Sequence, residues 1–222
     1  MAARLSVERV REGLAAVRER VDAAAQRAGR DPAAVEILLA VKYVEADDVE
    51  TLADAGVTLV GENRAQELLE KVTHAPGRLR WHFIGALQSR KVRMIVPHVE
   101  LIHSVASDSV LRELGRHAPP DFEILVEVNV AGEQGKAGID PGALDAFIAR
   151  APVAVAGLMT MPPATADPQS SRSHFAALAA LARARGLERL SMGTSQDFEV
   201  AVEEGATIVR IGTIILGGGT VR

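Results

Sequence analysis

Eight short apolar runs, each followed by a helix-like segment, constrain this chain of 222 residues more than any other feature. Short apolar runs between amphipathic segments predict a parallel sheet whose two faces are covered by helices. The predicted strands lie at 36–41, 58–61, 80–84, 101–104, 122–129, 153–159, 189–191 and 208–211. The predicted helices lie at 46–55, 64–72, 88–96, 108–117, 141–151, 171–185 and 197–204. This order fits either a closed (β/α)8 barrel or an open doubly wound sheet.

The number of strands, their similar spacing and the absence of a linker favour the closed barrel. We therefore predict an α/β fold, a TIM-type barrel over about 36–217 within a single domain that spans 1–222. The last strand lacks a following helix, since only residues 216–222 remain after it. An additional amphipathic helix is predicted at 6–28, with Ser6 as N-cap and Gly29 as the stop, and it can fill the gap.

Several element boundaries carry their own chemical signals. Asp140 and Pro141 place a carboxylate at an N-cap and proline at the first helical position. Gly56, Gly115 and Gly186 are each predicted to end a helix.

Composition excludes several classes of protein. The net charge is −4 and no stretch concentrates Lys and Arg, so we expect no nucleic-acid partner. Cysteine is absent, which excludes disulfides and thiolate chemistry and fits a reducing cytoplasm. No run approaches the ~20 apolar residues that cross a bilayer, so we expect no membrane partner. We expect a soluble, cytoplasmic monomer.

The apolar run 37–41 ends at Lys42, which places an amine at the carboxyl end of the first strand. Ligands bind at that end of the strands in α/β proteins. A lysine partly removed from water is a good nucleophile toward an aldehyde, which suggests Schiff-base chemistry. On this fragment alone, a lysine that simply faces solvent is the commoner alternative.

The loops after the seventh and eighth predicted strands indicate an anion site. The first contains Ser191, Gly193 and Ser195, and the second contains Arg210 and the pair Gly212-Thr213. Glycines allow close backbone approach, and hydroxyls and backbone N–H groups donate to phosphate oxygens. The alternative is that Ser195 caps the helix that Asp197 opens, and the two interpretations are about equally supported.

Other polar residues have weaker assignments. Asn63 is expected to cap the helix after the second strand and to present its amide toward the barrel mouth. His82 faces away from Trp81 on the third strand, and it is either a cofactor contact or a hydrogen-bonded core residue. A metal site formed by His82 and His103 lacks a third ligand, so we expect no metal. Lys136 lies in a glycine-rich loop without P-loop spacing, and we expect a flexible loop lysine.

In a closed barrel, the first strand is a neighbour of the last, so an amine on the first strand and a phosphate site on the last two would lie close together. A ligand that satisfies both carries an aldehyde and a phosphate, as pyridoxal 5'-phosphate does. Aldolases that form Schiff bases with sugar phosphates use similar parts, so the pattern leaves both open.

Six groups of residues extend this pattern into a resemblance. On them the chain resembles the pyridoxal-phosphate homeostasis protein family, single-domain relatives of the amino-terminal barrel of alanine racemase, also called fold-type III. The groups are Val60-Gly61-Glu62-Asn63 with Gln66-Glu67, Trp81-His82-Phe83-Ile84-Gly85 with Leu87-Gln88-Ser89, Ile102-His103-Ser104-Val105, Gly157-Leu158-Met159, Leu190-Ser191-Met192-Gly193 with Ser195, and Val209-Arg210-Ile211-Gly212-Thr213.

The resemblance implies a cofactor, a site and a role. It implies pyridoxal 5'-phosphate held as a Schiff base by Lys42, with Asn63, His82 and Arg210 lining the cofactor. Around its phosphate it implies Ser191, Gly193, Ser195, Gly212 and Thr213. It also implies a carrier or reservoir in vitamin B6 homeostasis, not an enzyme, which passes the cofactor to recipient enzymes.

The chain departs from the family at four positions. Val41 stands where the family has serine or threonine, and a strand shortened by one residue there would turn Lys42 away from the barrel. Arg64, Arg90 and Ala106 replace a family aromatic, asparagine and acid at positions that we expect at the rim.

The alternative function is a racemase or lyase that uses the same cofactor. Racemisation needs acid/base groups on both faces of the cofactor. The only tyrosine is Tyr43, directly beside Lys42, so a second base has no evident source in this chain.

Overall fold

A computed structural model describes residues 5–216 as a closed barrel of eight parallel strands, which follow one another around the ring in chain order. The fold predicted from the sequence is therefore confirmed. The strands are β1 Glu36–Ala40, β2 Leu59–Glu62, β3 Arg80–Phe83, β4 Leu101–Val105, β5 Glu123–Glu127, β6 Ala154–Met159, β7 Arg189–Thr194 and β8 Ile208–Ile211. The predicted barrel limit at Gly217 lies outside the described residues.

Helices surround the barrel between the strands. They are α1 Val7–Arg27, α2 Val49–Asp54, α3 Ala65–Lys71, α4 Val92–Ile95, α5 Asp108–His117, α6 Leu144–Ile148, α7 Arg172–Arg183, α8 Phe198–Glu203 and α9 Thr213–Leu216. Within residues 5–216, none of them is long and apolar enough to cross a membrane.

An ionic network closes the amino end of the barrel. Arg80 Nη1 lies 2.8 Å from Glu36 Oε1, and Arg189 bridges Glu36 at 3.1 Å and Glu123 at 2.7 Å. These residues belong to β1, β3, β5 and β7, which are not neighbours in the sheet, so the contacts run across the barrel interior. Glu36 holds both arginines, which fixes the relative position of three strands.

An apolar layer lies on the carboxyl side of this network and fills the middle of the barrel. All of its side chains are nearly inaccessible to water, as is usual for a packed TIM-barrel core. They are Leu38, Leu59, Leu101, Leu125, Met159 and Ile208. This layer therefore separates the ionic network from the carboxyl end of the barrel.

Helix α1 begins and ends as predicted and covers the gap beside the last strand. Ser6 Oγ accepts a hydrogen bond from the Arg9 N–H at 3.2 Å, and Gly29 follows the helix with a positive φ of 66°. Gly13 lies against α9, because a Cβ at this position would be only 2.6 Å from the Ile215 carbonyl oxygen. The predicted role of the amino-terminal helix is confirmed, and α9 adds a single short turn.

Two helix predictions were wrong in detail. The helix expected at 88–96 is a 3-10 turn followed by the four residues of α4, and Pro97 lies in the 3-10 turn that ends it. Gly115 lies inside α5 and does not end it. Its missing side chain has another reason, because a Cβ there would lie 3.2 Å from Pro152 Cβ. By contrast, Gly56 and Gly186 have positive φ and follow α2 and α7 as predicted.

Candidate functional site

The pairing of β1 with β8 brings the predicted amine and one of the predicted anion loops together. Leu38 lies opposite Arg210 in the register, and Gly212 follows two positions after Arg210. A Cβ on Gly212 would lie 3.4 Å from the Ala40 carbonyl oxygen. Lys42 comes two residues after Ala40, so the lysine and the Gly212 loop leave neighbouring strands at the same end of the barrel.

Lys42 is exposed at the end of β1. The Val41 N–H still bonds to the Gly61 carbonyl oxygen at 3.0 Å, and the Val41 side chain is buried in the outer core. Lys42 and Tyr43 then form a turn, which the Val44 N–H closes on the Val41 carbonyl oxygen at 3.0 Å. Its Nζ lies 4.8 Å from the centre of the Tyr43 ring. The structure thus places Lys42 in an exposed turn at the carboxyl end of β1, where its amine is not removed from water.

The loops after β7 and β8 are joined by a hydrogen bond. The Gly212 N–H lies 3.4 Å from Ser195 Oγ, which links the two predicted halves of the anion site. Helix α8 begins after Asp197 and has no side-chain cap, so the alternative that Ser195 caps this helix is wrong. Thr213, the remaining predicted member, is the first residue of α9.

Gly193 and Asp197 shape the first of these loops. Gly193 has φ of 90°, and a Cβ there would lie 2.5 Å from Ala201 Cβ on α8. Asp197 Oδ1 accepts hydrogen bonds from the Thr194 N–H at 2.8 Å and from its hydroxyl at 3.1 Å. Asp197 Oδ2 accepts one from the buried Ser171 hydroxyl at 2.9 Å. The backbone near the end of β7 therefore approaches α8 closely, and the Asp197 carboxylate holds Thr194, from which the loop departs.

Ser191 does not lie in that loop but inside the barrel. β7 runs to Thr194, three residues beyond the predicted end of the strand. Ser191 is fully buried, and its Oγ lies 2.6 Å from Arg210 Nη1 and 2.8 Å from His103 Nδ1. The structure therefore groups Ser191 with Arg210 and the histidines instead of with Ser195 and Gly212.

His82 completes a chain of hydrogen bonds across the barrel. Its Nδ1 lies 3.0 Å from His103 Nε2, so the chain runs from Arg210 through Ser191 and His103 to His82. A guanidinium has no acceptor, so Ser191 Oγ accepts from Arg210, and the serine hydroxyl can then either donate to His103 Nδ1 or accept from it. The tautomer of His103 decides which of the two histidines donates in the bond between His103 Nε2 and His82 Nδ1.

Burial keeps both histidines neutral. It lowers the pKa of His82 to about 3, with smaller contributions from the charges of Arg189 and Arg80. Burial also holds the pKa of His103 well below its ordinary value, and His82 and Arg210 add to this effect. Burial lowers the pKa of Arg210 to about 10, so this guanidinium still carries its charge at neutral pH.

Two buried polar atoms of the described residues lack a hydrogen-bond partner, namely His82 Nε2 and Asn63 Oδ1. Asn63 does not cap α3 as predicted, since Arg64 is the N-cap and no side chain closes that helix end. Instead, Glu62 Oε1 accepts hydrogen bonds from the N–H groups of Asn63 and Arg64. Unpaired buried polar atoms are rare in folded proteins, and a group that binds beside them can satisfy them.

Sequence reasoning missed three residues beside Arg210. Arg210 Nη2 donates to the Thr160 carbonyl oxygen at 3.0 Å and lies 2.7 Å from Met161 Sδ. Glu127, at the end of β5, has its pKa raised by burial, while the charge of Arg210 acts in the opposite direction. Alternation from Glu123 through Leu125 to Glu127 was the available signal for an inward carboxylate.

His103 and Lys136 have other partners than the sequence suggested. His103 bonds to Ser191 and His82, and no group of three or more metal-binding side chains occurs within residues 5–216. Lys136 lies in a loop as predicted, and its Nζ pairs with Glu133 Oε1 of the same loop at 2.7 Å.

Comparisons with known proteins identify the type of barrel. The family model described as alanine racemase, N-terminal domain, matches residues 13–219. The pyridoxal phosphate homeostasis protein of Aquifex aeolicus is 40% identical over 220 residues, which cover 93% of this chain and 96% of that protein. The protein of the same name from Pseudomonas aeruginosa is 40% identical over 218 residues, covering 94% and 95%.

A solved structure extends the comparison. PipY of Synechococcus elongatus with PLP bound superposes with a TM-score of 0.78 at 30% identity, covering 94% of this chain and all of that one. Fold and matches together define a single barrel of the alanine racemase N-terminal type. The chain belongs to the pyridoxal phosphate homeostasis protein family, which confirms the resemblance drawn from its motifs.

Proposed function

We propose that this protein binds pyridoxal 5'-phosphate at the carboxyl end of its barrel, holds it as a Schiff base on Lys42, and serves as a carrier or reservoir in vitamin B6 homeostasis. The observation that carries the proposal is the adjacency of β1 and β8, which brings an exposed lysine and the Gly212 loop to one edge. The names of the relatives, and the PLP in the PipY structure, support it.

The donor set of the site fits the cofactor. A phosphate would be held by Ser195, Thr213 and the backbone around Gly193 and Gly212, because hydroxyl and N–H donors with glycine backbone suit an anion. Asn63 and His82 each offer a buried polar atom without a partner. Arg210 retains its positive charge and would face the ring of the cofactor from the barrel interior, where Ser191 and Thr160 orient it.

Lys42 would supply the covalent link. Its amine would condense with the aldehyde of the cofactor to form a carbon–nitrogen double bond with loss of one water molecule. When bound, the cofactor would supply an electron-withdrawing ring. The proposal for this chain is storage and transfer, because the only tyrosine is Tyr43, next to Lys42, and provides no base on an opposite face.

Borohydride trapping tests the link. Borohydride would add hydride to the imine carbon, and a proton from water would go to the nitrogen, leaving a stable amine. After addition of pyridoxal 5'-phosphate, we expect visible absorbance, and we expect a reduced adduct on the peptide that contains Lys42. Lys42→Ala should lose both, whereas the control Lys91→Ala, in the loop after β3, should retain them. An adduct that persists in Lys42→Ala would contradict the proposed role of Lys42.

A turnover assay tests the alternative function. The loaded protein should not racemise or decarboxylate amino acids faster than the free cofactor does. Sustained turnover that disappears in Lys42→Ala would instead support an enzyme of the racemase or lyase class.

A further inference from the structure

A buried ion pair lies directly behind the loop of Lys42. Lys71 Nζ, on α3, lies 2.6 Å from Glu62 Oε2 at the end of β2. The side chain of Glu62 is inaccessible to water, and that of Lys71 is only 4% exposed. Glu67 Oε2 lies 3.3 Å from the same Nζ. Burying two such charges is costly unless their remaining hydrogen-bonding capacity is used, so the other partners of this pair indicate what it holds.

The third partner of Lys71 is the backbone next to Lys42. Lys71 Nζ donates to the Val41 carbonyl oxygen at 2.8 Å. The same oxygen accepts the Val44 N–H at 3.0 Å, which is the closing bond of a four-residue turn. Lys42 and Tyr43 are the central residues of that turn. The ammonium group of Lys71 therefore anchors the residue that precedes Lys42 and opens its turn.

Glu62 makes the matching contacts on the neighbouring strand. Its Oε1 accepts the Asn63 N–H at 2.5 Å and the Arg64 N–H at 3.1 Å. Asn63 carries the buried Oδ1 that has no partner. One ion pair thus holds the ends of β1 and β2, and each end bears a residue of the candidate site.

We infer that Lys71 is a positioning residue, which acts with Glu62 to hold the Lys42 turn and Asn63 in the geometry required for Schiff-base formation. This inference rests on the proposed function. Lys71 itself is withheld from the aldehyde, because its ammonium group is buried and bound by two carboxylates and a carbonyl oxygen. At the carboxyl ends of β1 and β2, Lys42 therefore supplies the reactive amine, and the amine of Lys71 orients it.

Two phosphorylated ligands distinguish a positioning role of Lys71 from a general effect on stability. Pyridoxal 5'-phosphate forms the imine, whereas pyridoxine 5'-phosphate carries an alcohol in place of the aldehyde and reports only the non-covalent contacts. In the full chain, Lys71→Met should lower the affinity for pyridoxal 5'-phosphate about tenfold or more, because misplaced reacting groups lose large factors in rate and affinity. The affinity for pyridoxine 5'-phosphate should change by about twofold at most.

A double variant guards against a folding defect. Lys71→Met alone leaves Glu62 buried without a counter-charge, so Glu62→Gln is added. The new amide oxygen can still accept the Asn63 and Arg64 N–H groups, and the double variant loses the anchor on Val41 together with the 3.3 Å contact between Lys71 and the partly exposed Glu67. We expect the double variant to recover thermal stability while imine formation stays impaired. Arg30→Met, which removes a cation from the Val202 and Ala206 carbonyl oxygens, is the matched control and should not alter imine formation.

Hydrogen exchange of the protein without cofactor gives an independent readout. Amides of the Lys42 turn should exchange faster in both Lys71 variants than in the wild type, and those around Arg30 should not. If both variants form the imine with wild-type affinity and the turn stays equally protected, the positioning role is wrong. If the wild type itself forms no imine at Lys42, the proposed function has failed instead.

Discussion

Arg210 donates a hydrogen bond to Ser191 Oγ at 2.6 Å inside the barrel, and the chain of contacts continues through His103 to His82. The guanidinium can only donate, whereas the donor and acceptor of each later bond depend on the histidine tautomers. The chain ends at His82 Nε2, a buried ring nitrogen without a hydrogen-bond partner. A fixed cation and an unpaired ring nitrogen therefore occupy opposite ends of one polar chain inside the barrel.

Ser191→Ala should destabilise the protein. The change removes the acceptor of Arg210 and leaves His103 Nδ1 without its hydrogen-bond partner, and both groups are buried. Leaving a buried polar group unpaired costs about 1–3 kcal/mol. Urea unfolding at neutral pH measures the loss. Ser170→Ala removes an exposed hydroxyl as the control, and an equal effect of both variants would contradict the role of the chain.

Acidification should destabilise the protein through its neutral histidines. In the unfolded chain, each of these histidines takes up a proton near pH 6.5, whereas folded His82 does so only at about 3. Their contribution to stability is full above pH 6.5 and is lost as the pH falls toward 3. Two pH units below 6.5, the expected loss is about 2–3 kcal/mol for His82, and His103 adds a loss of the same sign.

The pH dependence can be assigned by comparison with a variant. Urea unfolding at several pH values from neutral to acidic should give a shallower slope for His82→Gln than for the wild type. Glu127 acts with the opposite sign, because its pKa is raised by burial and protonation therefore favours the folded state. Its contribution is common to both proteins, so the difference in slope belongs to the histidine. Identical slopes would show that His82 does not titrate as described.

Gly193→Ala should cost more than the same change at Gly186. Both residues have positive φ, at 90° and 64°, so an alanine at either position is destabilised by about 1–2 kcal/mol in the left-handed region. Only the Gly193 variant also has a steric clash, since a Cβ there would lie 2.5 Å from Ala201 Cβ, whereas nothing lies within 4 Å of a Cβ added at Gly186. Thermal unfolding should rank the variants, and only Gly193→Ala should also weaken the binding of pyridoxine 5'-phosphate.

The fold could be predicted from the sequence because its signals are local. The apolar run before Lys42, the capping residue Ser6 and the turn glycines Gly56 and Gly186 each act over a few positions, and the barrel follows from their repetition. Strand ends were less accessible. β7 was predicted to stop at Ser191, because Gly193 is typical of a turn, and it instead continues to Thr194 with an irregular register.

The interior of the site depends on contacts between distant positions. His103 and Ser191 are 88 residues apart and meet only when the barrel closes. Lys71 and Glu62 carry charges, which normally predict exposure, yet their mutual contact allows both to be buried. A periodic pattern identifies the inward face of a strand but not which inward side chains bond across the barrel.

Asn63→Ala should separate binding from stability. The Oδ1 atom of Asn63 is buried without a partner, so its removal relieves a desolvation cost in the protein without cofactor. Glu62 holds the backbone of Asn63 independently of its side chain. We therefore expect unfolding stability to be unchanged or higher, while affinity for pyridoxal 5'-phosphate falls about 5- to 30-fold, the loss expected for about 1–2 kcal/mol of hydrogen bonding. Calorimetric titration and urea unfolding of the same preparation measure both quantities. A variant that lost stability but bound the cofactor normally would show that Asn63 serves the fold and not the ligand.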